Sequence, residues 1–171
     1  MCSGKTTLGR ALAATFGCAF VDLDDAVEAR AGCSISELFA TRGEAFFRRL
    51  EQETLNELSS GEPSVVATGG GTPCRPGAME AMKRRGTVVW LEPKRERLLE
   101  RLLLPEQKAK RPLLAARGDD EIVALVDVAL AEREPYYRLA DLRFDSTELE
   151  TEADIAITAS VLHDLLIAEW R

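Results

Sequence analysis

Residues 1–24 read MCSGKTTLGRALAATFGCAFVDLD, and this stretch sets the fold class. Leu8, Ala11, Leu12 and Phe16 recur at helical spacing, which predicts a helix over about 5–16. CAFVD at 18–22 then predicts a short strand ending in a carboxylate. GKTT at 4–7, at the start of the helix, is the second half of the phosphate-loop pattern GxxxxGK(S/T). In such a loop backbone N–H groups face phosphate oxygens and the helix N-terminus adds partial positive charge. The lysine, here Lys5, reaches the β- and γ-phosphates, and the hydroxyl of Thr6 joins a Mg²⁺ shell.

Outward from this stretch the same alternation continues. Helices are predicted over 24–31 and 34–58, the second capped by Ser34 or Ser36. A buried strand at 64–68 runs into Gly69, Gly70 and Gly71, and a helix begins near Pro76. A strand at 87–91 and a helix over 92–103 follow. Residues 104–119 are polar, basic and proline-containing, and read as an irregular excursion. A long helix over 120–139, a strand at 142–145 and a final amphipathic helix ending near Trp170 complete the chain. Short apolar strands alternating with helices imply an α/β fold, a parallel sheet covered on both faces. Ligands of such sheets bind at the carboxyl ends of the strands, where Asp22 and Gly69 to Gly71 lie.

Composition narrows the function. The chain has 171 residues with 22 Lys plus Arg against 29 Asp plus Glu, a net charge of -7. That balance lacks the basic footprint of a nucleic-acid binder, so any anion must be held by a few placed groups. No apolar run approaches the ~20 residues of a membrane span, and no signal-peptide pattern opens the chain. Cys2, Cys18, Cys33 and Cys74 form no CxxC pair and His163 is the single histidine, which speaks against a zinc cage. Reduced thiols in a cytoplasmic protein are expected. His163 is expected to be structural or on the surface.

Two constellations carry chemistry. Asp22 and Asp24 put two carboxylates close together, on one side if the chain stays extended there. One acid near Mg²⁺ and one near an acceptor hydroxyl would suit phosphoryl transfer, although solvated acids capping a helix are the commoner fate of such a pair. TGGGT at 68–72 follows a buried strand, and three glycines there expose consecutive backbone amides to a ligand.

MCSGKTTLGRALA, VDLDDAVEARAGCSISELFATRGEAFFRRLE, ATGGGTP, KRPLL and EREPYYRLAD occur in that order with short gaps. Together they closely resemble the shikimate kinases over essentially the whole chain. The resemblance implies a three-layer P-loop kinase fold, a five-stranded parallel sheet of order 2-3-1-4-5 flanked by helices. It implies one domain over 1–171, with a substrate-binding region at about 24–60 and a lid at about 104–119. The activity implied is transfer of the ATP γ-phosphate, with Mg²⁺, to the 3-hydroxyl of shikimate on the route to chorismate and the aromatic amino acids. Shikimate and ATP are then the partners of a cytoplasmic monomer, with no nucleic acid and no membrane.

Residue roles follow from the same resemblance. Cys2, Ser3, Gly4, Lys5, Thr6 and Thr7 would form the nucleotide loop, with Thr6 and Asp22 toward the metal. Asp24 would hold shikimate hydroxyls and orient or deprotonate the attacking oxygen. Arg48 and Arg133 would clamp the substrate carboxylate; read from the residues alone, Arg48 is a helix-surface arginine paired with Glu51. Arg49 should point elsewhere. Gly69, Gly70 and Gly71 would bind substrate oxygens, and Phe39 and Phe47 would wall its apolar face. Arg111 would reach the transferring phosphate from the lid, completing a catalytic set with Lys5 and Asp24. Arg101 would stack on adenine. Cys2 stands where a glycine is frequent, and Cys74 near the pocket is expected to be inert.

Two other readings stay open at this point: another small-metabolite kinase of the gluconate-kinase kind, and a catalytically silent kinase-like binding protein. The first glycine of the phosphate loop would lie two residues before Met1. The expectation is that about 8–10 residues precede Met1 in the natural protein, a first strand plus that glycine.

Overall fold

A computed structural model describes residues 2–58, 62–109 and 112–170. Among them α1 (Lys5–Phe16), β1 (Ala19–Asp22), α2 (Leu23–Ala31), α3 (Ile35–Leu58), β2 (Ser64–Ala67) and a 3-10 turn (Thr72–Cys74) come first. Next come α4 (Ala78–Lys83), β3 (Val89–Leu91), α5 (Arg95–Leu103), α6 (Pro105–Ala109) and α7 (Pro112–Ala115). The order ends with α8 (Asp119–Tyr137), β4 (Leu142–Phe144) and α9 (Glu152–Glu169). The chain divides into two compact units, one of residues 5–72 and 149–171, the other of 1–4 and 73–148.

In the first unit β1 and β2 pair in parallel, Ala19 opposite Ser64 through Asp22 opposite Ala67. Both strands therefore end at the same edge, with Asp22 beside the approach to the glycines. The apolar stripe of α1 buries Leu8, Leu12 and Ala13, and α1 packs on β1, β2 and α9. Gly9 sets the approach of α1 to β1, because a Cβ built there would lie 2.6 Å from Phe20 Cε2. Gly9→Ala is therefore expected to cost about 1–3 kcal/mol by overpacking, read as a lower urea midpoint at unchanged m. Leu23 and Val27 of α2 meet Leu38 and Phe47 of α3 in a second core. Arg30 of α2 pairs with Glu53 and Glu57 of α3 across the surface. The α3 helix breaks at Gly43, whose φ of 77° and ψ of 170° belong to glycine. A Cβ built there would meet open space, so backbone conformation alone calls for glycine at this position.

In the second unit β3 and β4 pair in parallel, Val89 opposite Leu142 through Leu91 opposite Phe144. Leu98, Leu99 and Leu102 of α5 pack with Leu114, Ile122 and Val126. A bidentate ion pair between Arg95 and Asp127, 2.7 Å at both contacts, ties α5 to α8.

The described residues form four strands, in two two-stranded parallel sheets, at the positions expected from the sequence. Several other expectations are corrected. The chain does not stay extended from Asp22 to Asp24. Leu23 opens α2, and Asp22 is its N-cap, Oδ1 accepting from the Asp24 N–H at 3.1 Å. A helix start leaves N–H groups without partners, and a preceding aspartate satisfies one of them. No helix begins at Pro76; the 3-10 turn comes first and α4 starts at Ala78, after Gly77 with φ 74°. The helix expected from 92 starts at Arg95, because Pro93 biases Glu92 toward extended backbone and the Glu92 N–H bonds Phe144 O at 2.9 Å. The excursion at 104–119 contains two short helices, α6 and α7. Arg111 lies outside the described residues.

Candidate active site

The carboxyl edge of the β1–β2 pair gathers most of the residues expected to act. Lys5 and Thr6 open α1, whose N-terminal N–H groups give a partial positive charge suited to phosphate. The Thr6 hydroxyl donates to Asp22 Oδ2 at 3.1 Å. One side chain at the helix start and one at the strand end thus place two hard oxygen atoms together. The other oxygen of Asp22 caps α2, which fixes the carboxylate from both sides.

Asp24, in the first turn of α2, lies against Gly69 just past β2. A Cβ built on Gly69 would sit 3.3 Å from Asp24 Oδ1, 3.3 Å from Thr72 Oγ1 and 3.6 Å from Glu51 Oε1. Glycine at that position lets three polar side chains close on the backbone. Burial pushes the Asp24 carboxyl above the ordinary carboxylate range, the negative charges of Asp22, Glu51 and Asp25 push the same way, and Lys5 opposes them. An acid in a crowded, partly dry, negatively charged niche holds its proton more tightly than one in water.

Arg48 projects from α3 toward the same glycines. A Cβ on Gly71 would lie 2.9 Å from its Nη2 and 3.3 Å from its Nη1. The guanidinium rests on the face of Phe47 at 5.0 Å. Nη1 donates to both oxygens of Glu51 at 3.1 and 3.3 Å, while Nε and Nη2 share Glu44 Oε1 at 3.3 Å. Arg48 thus pairs with Glu51, as the residues alone suggested, and also fronts the glycine turn. Phe47 is buried as the platform under Arg48, whereas Phe39, 40% exposed and 4.9 Å from Phe47 ring to ring, carries the open apolar surface. Arg49 is exposed over Phe46 and points away, as expected.

Glu51 and Thr72 are the residues that sequence reasoning missed as parts of this site. Glu51 is 1% exposed and accepts from Thr72 Oγ1 at 2.8 Å as well as from Arg48. The available signal was position: Glu51 falls on the same helix face as Phe47 and Thr54, both buried. A charge on the buried face of a helix needs built partners.

The second unit holds most of the remaining candidates. Cys2 adopts φ 51°, a left-handed conformation that disfavours a β-carbon, and Gly4 follows with φ 88°. Cys2 packs on the Leu98–Leu102 core, with its Sγ 3.7 Å from Gln107 Oε1. Ser3 O accepts from the Ser146 hydroxyl at 2.9 Å. Arg101 donates to the carbonyls of Ser146 and Thr147 at 3.3 and 2.5 Å, which anchors the loop after β4. Arg133 and Tyr137 stand one turn apart near the end of α8 and share a hydrogen bond. The Tyr137 ring lies 5.9 Å from Trp90, and burial lifts its phenol above the ordinary range. Thr7 is exposed on α1, Gly70 sits partly buried in the glycine turn, and all four cysteines are free thiols. His163 contacts Phe16 and Asp164, a structural position remote in sequence from every motif.

Comparison with known proteins places this geometry. The family model for shikimate kinase matches residues 1–164. The shikimate kinase of Bacteroides fragilis is 41% identical over 166 residues, which is 97% of this chain and 92% of that protein. The shikimate kinase of Parabacteroides distasonis is 39% identical over 97% of this chain and 95% of its own length. Among solved structures, a shikimate kinase from Bacteroides thetaiotaomicron superposes with a TM-score of 0.92 at 40% identity, covering 98% of this chain and 94% of that one. A shikimate kinase from Acinetobacter baumannii in complex with shikimate gives 0.78 at 33% identity, covering 99% and 90%. Matched along nearly its whole length by the family model and by relatives near 40% identity, this chain belongs to the shikimate kinase family.

Proposed function

We propose that this chain transfers the γ-phosphate of ATP to the 3-hydroxyl of shikimate. The observation that carries the reading is the convergence of an acid, Asp24, and a guanidinium fork, Arg48, on the Gly69 to Gly71 turn. Shikimate offers one carboxylate and several hydroxyls on an apolar ring, which matches a fork, an acid and the exposed face of Phe39. The relative from Acinetobacter baumannii, whose structure contains shikimate, supports the same substrate.

Phosphoryl transfer asks the protein mainly for alignment and charge stabilisation. Arg48, joined by Arg133, holds the substrate carboxylate through paired N–H bonds and fixes the ring. The amides of Gly69, Gly70 and Gly71 hold oxygens of the same substrate. Asp24 takes the hydrogen bond of the attacking hydroxyl and receives its proton; its upward-shifted pKa makes it a better acceptor than an ordinary carboxylate. Lys5 and the start of α1 neutralise the phosphate, with Cys2 to Thr7 as the nucleotide loop and Arg101 on the adenine side.

The Thr6 hydroxyl and Asp22 carboxylate, 3.1 Å apart, form the hard oxygen pair that Mg²⁺ favours, so these residues fit that ion. Bound there, Mg²⁺ would supply positive charge to the phosphate oxygens. The parallel pairing within β1–β2 and within β3–β4 supports the family's parallel sheet of order 2-3-1-4-5 as the proposed fold. Both units are discontinuous in sequence, which suits a single domain. The acidic balance suits a protein without nucleic-acid partners, and no described helix is long and apolar enough to cross a membrane. We assign it to the cytoplasm as a monomer.

Gly71→Ala is expected to push the Arg48 guanidinium aside and raise the shikimate KM by about 10–100-fold, with a smaller change in kcat. Steady-state kinetics at saturating MgATP read both. The function itself is tested by ³¹P NMR of the product formed from shikimate and MgATP. A phosphomonoester coupled to the proton on carbon 3 is expected, and a signal at another hydroxyl, or ADP and inorganic phosphate alone, overturns the assignment.

A further inference from the structure

Arg48 presents two edges. The Nη1 end is held by the buried Glu51, and the Nη1 and Nη2 tips face Gly71. The side edge, formed by Nε and Nη2, is the one that pairs side by side with a carboxylate, and Glu44 Oε1 occupies it at 3.3 Å from both nitrogens. The two glutamates differ in kind. Glu51 is 1% exposed and also receives the Thr72 hydroxyl, so it is fixed. Glu44 is 67% exposed, both of its long contacts go to one oxygen, and it follows directly on Gly43, where α3 breaks at φ 77°.

We propose that Glu44 is a displaceable placeholder for the substrate carboxylate on Arg48. Without substrate, Glu44 covers the side edge of the fork and keeps the guanidinium flat on Phe47. When substrate binds, its carboxylate takes that edge and Glu44 swings into water, while Glu51 keeps the other end in place. This rests on the reading of Arg48 as the carboxylate clamp. Displacing Glu44 subtracts from the affinity of carboxylate ligands, so Glu44 helps set both the strength and the anion selectivity of the site. An exposed pair of this kind is weak, and its removal should be felt as a few-fold change.

The test is calorimetric titration of shikimate and of its neutral methyl ester into the parent, Glu44→Gln, Glu44→Ala and Arg48→Ala proteins at low and high salt. Both Glu44 variants are expected to bind shikimate about two- to fivefold more tightly at low salt, with the gain shrinking at high salt. The ester, which brings no charge to exchange, is expected to bind parent and Glu44 variants alike. Arg48→Ala is expected to lose at least about 30-fold for shikimate. If Arg48→Ala loses affinity while the Glu44 variants bind shikimate no better than the parent, the placeholder role is wrong and the clamp stands. An equal gain for ester and acid also overturns the role, since the effect is then not carboxylate exchange. Parent-like binding by Arg48→Ala removes the clamp itself.

Discussion

Asp24→Asn is expected to lower kcat with shikimate by about 10²–10⁴-fold while raising the melting temperature near pH 7. The loss expected is that of the proposed acceptor of the hydroxyl proton. The gain follows from the direction of its titration. Burial first, then Asp22 and Glu51, raise the Asp24 pKa above its ordinary value of 3.8. The folded chain therefore binds this proton more tightly than the unfolded chain does. The stability so gained is fully present below the unfolded value and is lost as pH rises through the folded value. Above the folded value the ionised Asp24 is a net cost to the fold, and asparagine of the same shape removes it. Melts of parent and variant begun below the ordinary value of 3.8 and carried upward in pH are expected to diverge in favour of the variant as pH rises past it. A variant that melts below the parent at pH 7 contradicts the assignment.

The second large effect belongs to Arg48. Arg48→Ala is expected to cost about 2–5 kcal/mol of shikimate binding, because a charged partner is removed from a carboxylate. It should also destabilise the chain without any substrate. Glu51 is 1% exposed, and loss of Arg48 removes its ion-pair partner while the Thr72 hydroxyl stays. Breaking a buried pair from one side costs up to about 3–5 kcal/mol, and Thr72 holds the value toward the low end. The double variant Arg48→Ala with Glu51→Gln separates the two effects. Its unfolding midpoint should recover most of the loss, since the buried charge that Arg48 paired is removed as well, while its shikimate affinity should not recover. Recovery of binding together with stability would mean that Arg48 acts through the fold and not on the substrate.

The split between what was legible in the sequence and what was not has physical causes. The helices α1 and α3 announce themselves because their apolar positions recur at helical spacing. The end of the strands that gathers Asp22 and the three glycines was legible too, since parallel strands deliver them to the same edge. The roles of Arg48, Asp24 and Lys5 came from family resemblance, and spacing alone left Arg48 with two readings. Asp22 kept two readings because alternation and helix capping compete for the same Asp-x-Asp letters; the observed bond to the Asp24 N–H decides for the cap. Glu51 was passed over because a glutamate normally reads as surface, and its partners Arg48 and Thr72 are brought to it from two elements. Gly43 looked like one more residue of a helical run, and its φ reveals the break.

The most direct measurement is ADP release by the purified chain with MgATP and, in separate reactions, shikimate, gluconate and a nucleoside monophosphate. ADP release that saturates with shikimate and stays at background with the other two is the expected result. Release that ignores shikimate, or that follows gluconate or the nucleotide instead, contradicts the account.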